Sequence, residues 1–149
     1  MKTHSLKPAE VSRKWYILDA FKTPLGRLST QAASLLIGKG KPNTSAHIDN
    51  GDFVIVINAS NVLVTGNKPL DKNYYRHSGF PGGLHKRTLT EQLQKDPTKI
   101  VEKSIRGMLP VNKLRDGRLK RLKIYAGAEH KHSAQTPQEL SLSRKGKVN

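Results

Sequence analysis

Phe53-Val54-Ile55-Val56-Ile57 is a run of five apolar, mostly β-branched residues with no polar side to turn toward water. Such a run predicts a central strand covered on both faces, as in a parallel sheet flanked by helices. Upstream, Trp15-Tyr16-Ile17-Leu18-Asp19-Ala20 reads as a first strand. Between the two, Leu25, Leu28, Ala32, Leu35 and Leu36 recur at helical spacing and define one apolar face. Thr23 is expected to cap that helix with Pro24 at its first position, and Gly38 and Gly40 to stop it. Strand, helix and strand in this order predict an α/β sandwich around a mostly parallel sheet.

Working outward, residues 39–51 read as a loop. Val62-Leu63-Val64-Thr65 is expected to be a further strand. Ala59-Ser60-Asn61 is too short for a parallel crossover, so this strand either closes a tight hairpin or pairs elsewhere. Residues 66–87, with Gly66, Pro69, Gly79, Pro81, Gly82 and Gly83, are expected to be a long loop. Thr88-x-x-Glu91 matches a capping box opening a helix to about Lys95. Asp96-Pro97 opens the next helix, with Ile100, Val101, Ile105 and Met108 as its apolar face. Residues 110–121 read as basic and irregular, and Leu122-Lys123-Ile124-Tyr125-Ala126 as the last strand. The expected organisation is an arm over residues 1–14, one domain over 15–142 and a basic tail over 143–149.

The chain has 149 residues, with 27 Lys and Arg against 11 Asp and Glu, so its formal net charge is +16. A single domain with that charge repels itself unless a polyanion binds it, and nucleic acid is the expected partner. There is no cysteine, which excludes disulfides, thiolate zinc sites and thiol catalysis. No apolar run is long enough to cross a bilayer, and the N-terminus lacks the apolar core of a secretory signal. The Asn43 and Asn58 glycosylation-type triplets are therefore read as accidental.

Charge position sharpens the reading. Lys103 to Lys123 contains eight basic residues (Lys103, Arg106, Lys113, Arg115, Arg118, Lys120, Arg121 and Lys123) and one acid, Asp116. Lys72 to Arg87 contains Lys72, Arg76, His77, His85, Lys86 and Arg87, no acid, and the rings of Tyr74, Tyr75 and Phe80. Cations neutralise phosphates, aromatic rings stack on unpaired bases, and glycine backbone at Gly79, Gly82 and Gly83 can approach a partner closely. Each of Tyr74 and Tyr75 either stacks on a base or anchors the segment on the core. Lys39 and Lys41 add two cations after the first helix. Isolated, the like-charged 66–87 segment is expected to be open, and to order on RNA.

Catalytic signatures are missing. Gly38-Lys39-Gly40-Lys41 meets neither the P-loop nor the dinucleotide pattern. His130 and His132 stand at H-x-H spacing without further ligands at a recognisable spacing, and are read as polar histidines touching RNA or water. Asp19, closing a strand, is read as tying down a loop. The expected protein is not an enzyme and takes no metal, cofactor or small-molecule substrate.

Several strings together carry a resemblance. They are Trp15-Tyr16-x-x-Asp19-Ala20, Leu25-Gly26-Arg27-Leu28, Gly51 to Ala59, Val64-Thr65-Gly66-Asn67-Lys68, Tyr74 to Gly79, Pro81-Gly82-Gly83, Arg106-Gly107-Met108-Leu109-Pro110, Leu122 to Gly127, and Glu129-His130-x-His132-x-Ala134-Gln135-x-Pro137. In this order, from about Lys7 to Leu142, they resemble the bacterial large-subunit ribosomal protein thirteen family. The resemblance implies a single three-layer α/β/α domain with a small, mostly parallel four-stranded sheet and basic loops. It implies a structural component of the large subunit that binds 23S-type ribosomal RNA, touches neighbouring ribosomal proteins, acts early in assembly and works in the cytoplasm of a bacterium or in an organelle. RNA-facing motif positions carry over to Lys68, Tyr75, Arg76, His77, Gly79, Gly82, Gly83, Arg106 and Lys123. The chain departs from the family pattern at Ile37-Gly38-Lys39, Thr44-Ser45-Ala46 and Leu114-Arg115-Asp116, and in a tail that extends through Arg144, Lys145 and Lys147.

Overall fold

The two apolar strands and the amphipathic helix between them set the frame. The computed structural model describes residues 5–141, so the 143–149 tail lies outside the described residues. Trp15–Asp19 forms β1, Leu25–Ile37 α1 and Phe53–Ile57 β2. Then come α2 (Lys68–Asp71), β3 (Asn73–His77), β4 (Leu84–Thr88), α3 (Leu89–Lys95), α4 (Pro97–Met108), α5 (Arg115–Lys120), β5 (Leu122–Ile124) and β6 (Gln138–Glu139). The main sheet has the order β5-β2-β1-β6 and every pair in it is parallel. The α/β class and the four-stranded parallel sheet are as expected.

The fourth strand is not the expected one. Val62 to Thr65 makes only a single bridge, Leu63 to Pro24. Asn58 takes a left-handed turn at φ 58° into the 3-10 turn Ala59–Asn61. The amides of Asn58, Ala59 and Ser60 then bond the carbonyls of Gly127, Tyr125 and Ala126, which commits this stretch to the end of the last strand. The real fourth strand is β6, two exposed polar residues paired to β1 through the backbone, with Leu140 N–H donating to the Ile17 carbonyl at 3.0 Å and the Leu140 side chain packed against the core.

One face of the sheet carries the core. Leu18, Val54, Val56 and Leu122 meet Leu28, Ala32 and Leu36 of α1 and Ile100, Val101 and Ile105 of α4. A fully buried side chain of this kind contributes about 1.5–3 kcal/mol. Met108, expected on this face, is 42% exposed, and Leu109, just past the helix, is buried in its place. On the opposite face, Ile17 and Ile55 are buried outside that cluster. There Trp15 stacks on Phe53 at 4.2 Å between ring centroids, and His132 covers Trp15 at 5.0 Å. Tyr125 packs against both His130 and His132.

Local signals were read with one exception. Gly38 ends α1 at φ 84°, a left-handed cap that favours glycine. Thr88 and Glu91 form the reciprocal capping box, at 3.3 and 3.1 Å. Pro97 opens α4. The exception is Thr23: Pro24 is the cap residue of α1, and the Thr23 hydroxyl is buried without capping the helix. Two segments expected to be irregular are ordered. Residues 110–121 contain α5, and residues 66–87 contain α2 and a hairpin paired from Asn73–Thr88 to His77–Leu84.

Candidate nucleic-acid interface

Residues directly opposed across an antiparallel pair share a face. The β3–β4 register therefore puts Tyr74 and Arg76 with Arg87 and His85 on one face, and Tyr75 and His77 with Lys86 and Leu84 on the other. The two tyrosines divide accordingly. Tyr74 packs on the core, and burial raises its phenol pKa. Lys103 and Lys72 stand over its ring at 5.0 and 5.6 Å, placements that favour cation–π attraction. Tyr75 is 58% exposed.

The first hairpin face looks onto α4. Lys99, Lys103 and Arg106 follow one another at helical spacing along the exposed side of that helix. Between helix and hairpin lies an open cleft of about 550 Å3 whose walls include Arg76, His85, Arg87, Lys99 and Lys103 and, among the described residues, no acid. Lys99 also reaches Asp96 at 3.1 Å in a solvent-exposed pair. The Asp96 carboxyl lies below its ordinary range, chiefly through a 2.6 Å hydrogen bond donated by Thr98. Lys99 was not among the candidates read from sequence, although its four-residue step to Lys103 was visible.

The hairpin tip explains its glycines. Gly79 and Gly82 sit at φ 92° and 72°, where side chains are strained. A Cβ on Gly83 would fall 2.0 Å from the Ser78 hydroxyl and 2.9 Å from the Phe80 carbonyl. Their role in the free chain is to close this turn. It leaves Phe80 74% exposed.

The other candidates separate into groups. Lys39, Lys68, His77, Lys113 and Lys120 are exposed, and Arg115 and Lys123 are half-buried. Lys39 follows α1, and α5, which Lys113 precedes and Lys120 ends, packs against that helix. His130 and His132 are half-buried in the aromatic cluster on the sheet, with the His132 N–H donating to His130 Nδ1 at 3.3 Å. Their first role is to seal that face. Among the described residues, no three His, Cys, Asp or Glu side chains group to hold a metal.

Three expected cations turn inward. Arg121 forks onto Asp49 at 2.6 and 2.7 Å and also donates to the Leu36 carbonyl at 3.2 Å. Arg118 reaches the same carboxylate at 3.4 Å, and both arginines are buried. Burial works against Asp49 ionising, but the Arg121 hydrogen bonds and the charges of Arg121 and Arg118 outweigh it and hold the carboxyl below its ordinary range. Lys41 lies 2.7 Å from the buried Asp52 and donates to the Ser12 and Asn50 carbonyls. These cations make their contacts inside the fold. Asp19 ties a loop as expected, accepting from the Phe21 N–H at 3.0 Å and Asn58 Nδ2 at 2.9 Å.

Comparison with known proteins gives a consistent result. A family model described as "Ribosomal protein L13" matches residues 13–131. The chain is 56% identical over 137 residues to "Large ribosomal subunit protein uL13" of Mycobacteroides abscessus, covering 92% of this chain and 93% of that one. It is 54% identical over 144 residues to the protein of the same name from Kocuria rhizophila, covering 97% and 98%. To that of Laribacter hongkongensis it is 51% identical over 142 residues, covering 95% of this chain and all of the other.

Proposed function

The chain belongs to the ribosomal protein L13 family, and from that premise we propose that it binds large-subunit ribosomal RNA through the basic cleft between the β3–β4 hairpin and α4. Family membership makes it a structural constituent of the large ribosomal subunit, not an enzyme. The observation that carries the RNA reading is the cleft: Arg76, Arg87, Lys99 and Lys103 converge on it and no acid lines it. A rigid helix and a paired hairpin hold those cations at spacings that can neutralise neighbouring phosphates, each contact releasing counterions. Arg106 extends this surface along α4. Lys39, Lys113 and Lys120 form a second contact region. The RNA is of the 23S type, and the protein joins it early in assembly, beside other large-subunit proteins, in the bacterial cytoplasm or an organelle.

Arg87→Ala and Lys103→Ala are each expected to weaken binding to large-subunit RNA. Each should lower the slope of log K against log salt by roughly 0.7–0.9. Binding isotherms of the full chain between low and moderate salt measure this. Unchanged slopes in both variants would remove the cleft from the binding surface. Lys120→Ala tests the second region in the same way.

A further inference from the structure

The hairpin has two faces of different chemistry: the Tyr74, Arg76, His85 and Arg87 face walls the cleft, and Tyr75 and His77 of the other face border it as well. On the other, Tyr75 stands opposite Lys86 and diagonal to Leu84, with His77 opposite Leu84. Tyr75 is 58% and Leu84 59% exposed, and Phe80 at the tip is 74% exposed. Apolar surface of this size on a two-stranded ribbon is not left over from core packing, because that ribbon's contact with the core is made by the opposite face through Tyr74. The tip is also built to display it. Gly79 and Gly82 take left-handed conformations and Gly83 has no room for a Cβ, so the turn holds Phe80 outward.

We propose that this outer face is a stacking platform for unpaired bases of an RNA strand whose backbone passes the hairpin's cationic edge. The inference rests on the RNA reading above and adds the ligand class: single-stranded nucleotides, taken by stacking rather than by charge alone. Charge complementarity selects this occupant. No acidic residue lies between Lys72 and Thr90, and His77 and Lys86 share the face of Tyr75, with Arg76 and Arg87 on the adjoining one. An apolar protein surface docked here would desolvate those cations without compensation. A nucleotide strand offers a π-face to Tyr75 and Phe80 and a phosphate to the cations at once. Leu84, beside Tyr75, gives the apolar floor on which the edge of a base can rest.

The test uses the full chain with two RNA probes of equal phosphate number, an unstructured single strand and a perfect duplex. Tyr75→Ala is expected to weaken single-strand binding roughly 5- to 100-fold, the range for loss of one base stack, with an unchanged salt slope. Tyr75→Trp should restore it, and duplex binding should stay as in the parent. Phe80→Ala should act in the same direction. Because Tyr75 and Phe80 are exposed, these variants keep the fold, which the thermal transition verifies. Equal single-strand affinity for parent, Tyr75→Ala and Phe80→Ala would overturn the platform. So would a loss that falls equally on duplex and single strand with a lowered salt slope, since the ring would then only support the cleft. Undiminished RNA binding with weakened association to a neighbouring ribosomal protein would assign this face to protein instead. Failure of the cleft itself is read separately, from the Arg87 and Lys103 salt slopes.

Discussion

Asp49→Ala is expected to destabilise the chain by about 3–5 kcal/mol, because it leaves two buried guanidinium groups without their counter-charge. Arg121 loses both arms of its fork, and Arg118 loses its nearest carboxylate oxygen. What remains for Arg121 is the carbonyls of Leu36 and Gly117, at 3.2 and 3.4 Å, which accept hydrogen bonds but carry no formal charge. The same cluster gives the fold an acid limit. The folded-state pKa of Asp49 is lowered, so its stabilisation is fully present above the ordinary carboxylate range and is lost as pH falls through the lowered folded value. Urea unfolding at neutral pH should show the full deficit, and the difference between parent and Asp49→Ala should shrink in acid. A deficit under about 1 kcal/mol at neutral pH would show the cluster to be solvated, as an exposed ion pair is. Arg118→Ala is expected to behave as a stability variant too, with an unchanged salt slope for RNA. A lowered slope would return Arg118 to the RNA-binding set suggested by its place in a basic run.

Gly51→Ala is expected to have the largest effect of any single methyl added to the chain. Its Cβ would lie 1.8 Å from the Leu36 carbonyl oxygen, 2.5 Å from that carbonyl carbon and 2.8 Å from Nη2 of Arg121. The nearest atoms are backbone at the end of α1 and cannot swing aside. Next to it, the Asp52 N–H donates to the Leu35 carbonyl at 3.0 Å, so any shift also pulls β2 from the helix. The expected loss exceeds about 4 kcal/mol, the tail reserved for a named steric failure. Gly40→Ala is the control: nothing lies within 4 Å of its Cβ, and its effect should stay within about 0.5 kcal/mol. Thermal or urea unfolding of the pair decides it. Equal stability would mean that the crossing of α1 and β2 is looser than the structure describes.

The clash at Gly51 and the buried charges around Asp49 meet at one place, where α1 ends, β2 begins and α5 packs. Sequence reading treated the residues there as a loop and a basic run. The loop is there, and two arginines of the basic run, Arg118 and Arg121, are buried on Asp49. With Arg118, Arg121 and Lys41 held by internal carboxylates, the RNA contact proposed above rests on the hairpin and α4.

What the sequence determined by itself is what is encoded within a turn or two of chain. The apolar run Phe53 to Ile57, the helical spacing of Leu25 to Leu36, the Thr88 and Glu91 box and the stop at Gly38 each carry their own signal, and the structure holds all of them. The ordered strings from Trp15 to Pro137 also carried the family, since their order and spacing need no coordinates. Tertiary structure alone decided the rest. β6 is held by main-chain bonds that leave no mark on side-chain pattern. The β3–β4 segment carries no apolar alternation around its glycines, and only its packing against α2 and α3 distinguishes a strand pair from a loop. Arg118 and Arg121 are ordinary surface cations in any local window. Their carboxylate stands 69 and 72 residues away, and a charge is buried or exposed according to partners that only the folded chain brings together.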